Sequence, residues 1–468
     1  MSASTAIDLD TYTDPVAMRA LLQARLPGFA EARLRIDSLA VSNVLRNTTR
    51  ERDPCPMTLC YELQASDPAY GRSGTQWLYA QVYRTGLAAA AFARQDRSRL
   101  APPAFGDALV HLADLDLLLW ALPNDPGLPQ LATLLDPARA GLVLPGAAFC
   151  EGPKDAALRR PSPVGIKESG KATFPCDPQV ELLRYRPQRR ATLRYTLGGG
   201  DGGAPRTLYA KTFCDERGAA IHERFTYFWQ LAQHDATAPR VARPLGYHAA
   251  TRTVWQAPAE GLPLLCALAS HNNGPALMGR VARALALLHA APLAPCAQTE
   301  PRSVAHWLAE VRRRRNKIGR IDAALAPRAA RVADAIEAGA AHPATRPLSL
   351  IHGDFHPEQI WIDDGRVVLF DFDEFTLGDP MEDLAAFVLK LDQAGVAPPL
   401  ASAFVEEYAA AAAQRFDRRG LAWHLTIQSL LQASRAFIYQ QPGWAATLER
   451  RLTVSEVRAA ALCNPEAT

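Results

Sequence analysis

Apolar residues recur along this chain in two rhythms, and the changes of rhythm mark its elements. Residues 14–25 (DPVAMRALLQAR) carry the spacing of a short helix behind an Asp-Pro start. Leu34–Ile36, Val41–Leu45, Met57–Leu63 and Trp77–Tyr83 alternate between Pro, Asp, Gly and Ser turns, which predicts an antiparallel meander. Leu87–Arg94 is Ala-rich and reads as helix, and Leu115–Leu122 reads as a buried apolar element. Residues 145–178 lose all periodicity amid Gly, Pro, Lys and Ser, as a linker or loop would. Alternation then resumes. Val180–Arg184, Ala191–Leu197 and Leu208–Phe213 predict three strands, Glu216–Gln233 a helix, and Val241–Tyr247 with Thr253–Gln256 two more strands. Helical periods dominate afterwards: a helix presenting Val281, Leu285 and Leu288 with a packing His289, a largely helical stretch Val304–Ala341, and Met381–Gln393, Pro398–Arg415 and Leu421–Tyr439.

The two meanders echo one another. Thr58-Leu59-Cys60-Tyr61-Glu62-Leu63 resembles Thr192-Leu193-Arg194-Tyr195-Thr196-Leu197, and Leu78-Tyr79-Ala80-Gln81-Val82-Tyr83 resembles Leu208-Tyr209-Ala210-Lys211-Thr212-Phe213. Leu45-Arg46 echoes Leu183-Arg184 more faintly. The plainer account is that two Tyr-, Leu- and Val-rich meanders look alike. The shared order favours a degenerate internal repeat.

Composition narrows the class. With 51 basic against 48 acidic residues the net charge is +3, too small to imply a nucleic-acid partner. The eight cysteines form no CxxC pair and no zinc spacing, which suits a reducing, cytoplasmic setting. The N-terminal MSASTAIDLDTYTD lacks the features of a signal peptide, and no apolar run approaches a membrane span.

The chemistry concentrates in Leu348–Leu384. The apolar run Leu348–Ile351 meets a polar cluster, His352, Gly353, Asp354, His356, Glu358 and Gln359. Ile360–Ile362 and Val367–Phe370 flank an Asp363-Asp364-Gly365 turn, which reads as a β-hairpin. Such a hairpin brings the loop before its first strand beside the end of its second, so Asp354 should approach Asp371. Two carboxylates and an amide at one rim suit a magnesium-nucleotide site, because hard cations take oxygen ligands. The alternative is a surface hairpin with ordinary turn aspartates.

His352-Gly353-Asp354 with His356 and Gln359, then Asp371-Phe372-Asp373 and Gly378-Asp379-Pro380 with Asp383-Leu384, resembles the aminoglycoside phosphotransferase and choline kinase-like family. The resemblance implies a protein-kinase-like fold with ATP and Mg2+ as cofactors. It implies Asp354 as the catalytic aspartate toward the acceptor hydroxyl, Asp371 as a metal ligand and Gln359 as the second metal ligand. Most of the family has Asn at that last position; Gln keeps the carbonyl oxygen on a longer stem and is similar to the maltokinase-like branch. Gly353 replaces the Arg of protein kinases, and no activation segment separates Asp373 from Gly378.

The resemblance extends to the small lobe. Lys211 matches the phosphate-binding lysine. Glu223, sharing a helix face with Tyr227 and Leu231 that would point inward, is assigned as its partner, with Glu216 as competitor. The first hairpin turn of such a lobe covers the phosphates. Arg189 and Arg190 at that turn are candidate phosphate contacts, with solvated arginines the equal alternative. The glycine run 198–203 falls one connection too late and reads as a hairpin loop, and Arg312–Arg315 reads as a solvated helix face. Gln81 stands where Lys211 recurs, so the first copy should not bind ATP.

The expected architecture is therefore α+β. A degenerate small-lobe-like domain (1–145) and a linker (146–178) precede a kinase-like small lobe (179–258) and a mainly helical large lobe (259–468). The expected activity is transfer of the ATP γ-phosphoryl group to a hydroxyl of a small molecule, a sugar or amino sugar first. The alternative is a silent nucleotide-binding scaffold with an interaction module.

Overall fold

A computed structural model describes residues 10–46, 54–145, 178–198, 205–235, 237–270, 273–293, 300–340 and 348–463. The expected linker and most of the glycine run lie outside the described residues. The chain divides into two compact units, one comprising Met1–Gly218, Tyr247–Trp255 and Phe437–Pro442, the other Ala219–Gly246, Gln256–Ala436 and Gly443–Thr468. The expected α+β class holds. No helix among the described residues is long and apolar enough to cross a membrane.

The first unit contains the N-terminal sheet. Its strands are β1 (Arg35–Arg46), β2 (Met57–Asp67), β3 (Arg72–Val82), β4 (Leu109–Leu112) and β5 (Leu117–Ala121), in the order β1-β2-β3-β5-β4. The helix Pro15–Arg25 begins on Asp14, whose side chain accepts from the Val16 and Ala17 amides, satisfying two otherwise orphaned N–H groups. It buries Met18 and Leu22 in one cluster with Tyr61, Leu63, Leu78 and Leu119 of the sheet.

The second sheet consists of β6 (Gln179–Arg186), β7 (Arg190–Leu197), β8 (Arg206–Phe213), β10 (Pro244–His248) and β11 (Thr253–Gln256), in the order β10-β11-β8-β7-β6. It is the order of the N-terminal sheet read from the other edge, and the correspondence reaches single residues. Thr58 pairs with Gln81, and Thr192 pairs with Lys211. The first strand of each sheet is irregular at the matching place, between Ser42 and Leu45 and between Leu182 and Arg184. Each final hairpin turns through a 3-10 segment, Ala113–Leu115 or Ala249–Thr251. Each then passes a left-handed residue, Asp116 or Arg252 (φ 45° and 47°). The carbonyl of that residue accepts from Tyr83 N (2.8 Å) in one copy and Phe213 N (3.2 Å) in the other. Periodicity alone could not distinguish two similar meanders from one repeated topology; register does.

The second unit holds the hairpin expected at the centre of Leu348–Leu384. Ahead of it, β13 (Ser349–Ile351) pairs antiparallel with β16 (Thr376–Gly378), which draws the two ends of the reactive stretch together. Between them, β14 (Ile360–Asp363) pairs with β15 (Arg366–Leu369) around Asp364 and Gly365, both at positive φ, as a two-residue hairpin turn requires. The expected strand Val241–Tyr247 is split. Arg240–Val241 (β9) joins β15 in parallel, and the chain re-enters the second sheet only at Pro244. A proline lacks the N–H a central ladder needs and is tolerated as the first residue of a strand. Beneath the hairpin runs the helix Gly274–Ala290, with Met278, Val281, Leu285 and Leu288 buried. Met381–Gln393 is helical as predicted. The expected helix Leu421–Tyr439 is interrupted, into Arg418–Ala433 and Arg435–Ile438. The helix Trp444–Cys463 is not signalled by the sequence, because its buried stripe (Leu448, Leu452, Ser455, Ala459, Leu462) mixes leucines with small residues. The arginine run sits on the helix Val304–Ile321, where Arg312 meets Glu337 (2.9 Å) and Arg315 meets Asp334 (3.7 Å), a surface ion-pair lattice.

Candidate active site

The polar cluster after Ile351 is held by a single buried carboxylate. Asp383 Oδ2 accepts from His352 N (2.6 Å) and Oδ1 from Gly353 N (2.8 Å). The ring of His289 lies 3.1 Å from Oδ2, and the other ring nitrogen of His289 meets Tyr408 Oη at 2.7 Å. Burial opposes ionisation of Asp383, but the His289 bond and the neighbouring imidazoles and amides outweigh it and hold the carboxyl below its ordinary range. His289 is thus more than packing; it orients the anchor of the loop.

The next residues of the loop carry the side chains expected to act on the substrate. The Asp354 side chain is half exposed, with His356 Nε2 3.7 Å from Oδ2. Its pKa is lowered: partial burial works against ionisation, while His356 and His352 favour it more strongly and the Asp371 carboxylate opposes it. The 3-10 turn Pro357–Gln359 buries Gln359, whose Nε2 is 3.2 Å from Asp371 Oδ2 and 3.3 Å from His356 Nε2. Asp371 itself adopts a left-handed backbone, φ 60°, a strained state for an aspartate that places its carboxylate at the rim of the hairpin.

Aromatic packing locks the segment after Asp371. Phe372 stacks on Phe228 (5.5 Å, 19°) and tilts against His352 (5.2 Å), while Phe225 and Phe375 close the cluster. Arg224 donates to the Phe375 carbonyl at 2.7 Å. The helix Arg217–His234 therefore buries Ile221, Phe225 and Phe228, one face away from the predicted one. Glu223 is exposed and not inward, because the aromatic face outcompetes a carboxylate for burial. Glu216 pairs with Arg252 (3.0 Å) in the first unit.

One further group was not legible in the sequence. Arg302 donates to the Gly353 carbonyl (3.1 Å), approaches the Glu374 carbonyl (3.3 Å) and carboxylate (3.1 Å), and pairs with Glu382. A guanidinium thus braces the loop from outside it, at a point where the local sequence has only Gly353. Gly353 is required there: at φ 75° a Cβ would press into the Glu374 carbonyl and sit 3.1 Å from Arg302 Nη1. Burial pushes the Glu382 carboxyl up to about 8, against the pull of Arg302. Asp379 caps the helix Met381–Gln393 through the Met381 amide (3.0 Å) and lies 3.4 Å from buried His424 Nε2. Arg302, Ser303, His306, Asp373 and Glu374 line an open cavity of about 480 Å3 beside the loop.

In the first unit, Lys211 lies half-buried on β8 with Nζ 5.8 Å from the Phe213 ring centre. Gln81, the counterpart of Lys211 in the N-terminal sheet, accepts from Trp120 Nε1 at 3.0 Å. Arg189 is exposed and Arg190 half-buried at the β6–β7 turn.

Two oxygen-bearing side chains, Asp371 and Gln359, converge as a magnesium site needs, since Mg2+ is held by one or two protein ligands with phosphates and waters completing the shell. Turning the Gln359 amide end over would place its oxygen beside the carboxylate. Among the described residues no three His, Cys, Asp or Glu side chains gather into a larger metal cage.

Residues 193–424 match the sequence profile of the phosphotransferase enzyme family, APH. None of the curated proteins compared is similar enough in sequence to count as a match. Among solved structures, a thermostable mutant of aminoglycoside phosphotransferase APH(4)-Ia is similar at 16% identity, over 62% of this chain and 95% of that one, with a TM-score of 0.45. Aminoglycoside phosphotransferase APH(3'')-Id from Streptomyces rimosus is 22% identical over 54% and 92% (TM-score 0.38). Choline kinase from Cryptosporidium parvum is 11% identical over 63% and 92% (TM-score 0.44).

Proposed function

We propose, from the match of residues 193–424 to the phosphotransferase enzyme family, that the chain is a Mg2+- and ATP-dependent small-molecule kinase. It moves the γ-phosphoryl group to an acceptor hydroxyl, with a sugar or amino sugar as the first class to test. The observation that supports the reading is the approach of the Gln359 side chain to Asp371 (3.2 Å), with His356 Nε2 standing 3.3 Å from the Gln359 amide and 3.7 Å from the half-exposed Asp354 carboxylate.

Each group has a role that its surroundings favour. Asp354 is ionised throughout the neutral range, so it orients the acceptor hydroxyl through the approach to the transition state and takes its proton late. Asp371 and Gln359 would hold Mg2+, which when bound would neutralise charge on the phosphate oxygens. Lys211, half-buried on β8, pairs with the phosphates. Arg189 and Arg190 flank the turn that covers the phosphates. Asp383, His289 and Arg302 touch no substrate in this scheme; they fix the loop that carries Asp354. The reaction needs positioning and charge stabilisation, and a loop bound at both backbone amides supplies the first.

The test is ADP release from Mg-ATP across a panel of polyols, amino sugars and amino alcohols, with Asp354→Asn as the blank. Acceptor-dependent ADP release that drops about 10²–10⁴-fold in the variant supports the proposal. Mg-ATP binding without turnover on any acceptor, unchanged in Asp354→Asn, would instead favour the nucleotide-binding scaffold.

A further inference from the structure

The N-terminal sheet repeats the nucleotide-side sheet in strand order and register, yet its lysine position holds Gln81, already bonded to Trp120. Its seven-residue helix Leu87–Ala93 takes the place of the 18-residue helix Arg217–His234. Among its described residues the repeat therefore lacks the lysine that the second sheet carries. Its distinguishing feature is the segment beyond its last strand. After β11 the chain runs on through residues 257–261 to β12 (Leu262–Pro263). After β5 the corresponding stretch, Leu122–Leu134, turns back and grips the second sheet.

The grip is made of buried polar contacts at defined places. Asp125, 2% exposed, accepts on Oδ2 from Tyr185 Oη (2.7 Å) and from Gln188 N (2.8 Å), and on Oδ1 from Gly127 N (2.7 Å). Gln188 sits at the β6–β7 turn in a left-handed backbone, φ 57°, so an external carboxylate holds a turn conformation that a glutamine seldom adopts. Gly127 packs against it so closely that a Cβ would lie 2.5 Å from Gln188 Cα. Asn43 of β1 donates to the Tyr185 carbonyl (2.8 Å), and Trp77 of β3 meets the Tyr185 ring edge-on at 6.3 Å. At the far end of the lysine strand, Gln130 Nε2 donates to Thr212 Oγ1 and to the Phe213 carbonyl, each at 2.8 Å. Tyr195 donates to the Leu134 carbonyl at 2.6 Å.

We propose that the N-terminal repeat is an internal clamp for the nucleotide, in which Asp125 is a positioning residue that fixes the 186–190 turn while Gln130 fixes the end of the Lys211 strand. The clamp rests on the kinase reading above, which makes that turn and that lysine the phosphate-facing parts of the sheet. A preformed turn lowers the ordering cost of binding phosphate, so its loss falls on nucleotide affinity and spares the phosphoryl step itself.

The experiment uses the full chain. Mg-ATP affinity is measured by calorimetry, steady-state kinetics on the best acceptor, and amide hydrogen exchange across residues 186–190, for wild type, Asp125→Asn and Gly127→Ala. Gly127→Ala keeps the carboxylate and displaces the turn sterically, so it serves if Asp125→Asn fails to fold. The clamp predicts at least fivefold higher KM for ATP, kcat within twofold, and faster exchange confined to the turn and its flanks. Wild type that binds Mg-ATP alongside a folded variant of unchanged KM overturns the clamp alone; equal losses in kcat and affinity overturn it in favour of a general structural role. Wild type that binds no Mg-ATP overturns the kinase reading and the clamp with it.

Discussion

Replacing Asp383 by Asn tests whether one buried carboxylate holds the catalytic loop. Asp383 is fully buried and takes the His352 and Gly353 amides on different oxygens, with His289 sharing Oδ2. Asn offers one oxygen and one NH2, so one backbone amide loses its acceptor and faces a donor. A hydrogen bond to a charged group contributes about 1.5–3 kcal/mol, and an unsatisfied buried donor costs about 1–3 kcal/mol. The expected loss is about 3–5 kcal/mol, which for a unit of this size lowers the melting temperature by about 6–20 °C. Because folding holds the Asp383 pKa below its unfolded value, wild type has this stabilisation above about pH 4 and loses it as the pH falls further. The gap between wild type and variant should therefore be full at pH 7 and shrink in acid. Calorimetric melting from pH 3 to 8 measures it. A variant melting within about 2 °C of wild type at pH 7, with full ADP release, would refute the assignment of Asp383 as the anchor.

The same geometry sets three further outcomes. Gly353→Ala places a methyl group against the Glu374 carbonyl at a positive φ, so turnover should collapse and stability should fall by at least the roughly 1–2 kcal/mol of left-handed strain, read by urea unfolding. Phe228→Ala empties the stack on Phe372 and should cost about 3–5 kcal/mol, with Asp371-dependent Mg-ATP binding weakened alongside it. Glu382, with its carboxyl raised to about 8, binds its proton more tightly folded than unfolded, so wild-type stability should decline as pH rises from about 4.5 to 8. Glu382→Gln should flatten that decline, and an unchanged slope in melting temperature against pH would count against it.

Legibility tracked the range of the physics. The hairpin Ile360–Leu369 could be read because its turn chemistry and its two apolar strands are contiguous, and the helix Pro15–Arg25 because Asp14 and Pro15 act within one turn. The meeting of Gln359 with Asp371 is a consequence of the hairpin itself. Arg302 could not be read, since nothing near position 353 signals a guanidinium arriving from a distant loop. The buried face of Arg217–His234 was misplaced because its pattern offers two apolar stripes, and only packing against Phe372 chooses between them.

The chain's local grammar therefore determined most of the elements and the order of polar groups from His352 to Asp383. Tertiary structure alone decided which carboxylate anchors the loop, that Arg302 braces it, and that the first sheet grips the second through Asp125 and Gln130. Turns, caps and strand alternation are satisfied by neighbours in sequence. A buried amide or a left-handed turn accepts its partner from wherever packing delivers one, and that choice is made only when the whole chain is folded.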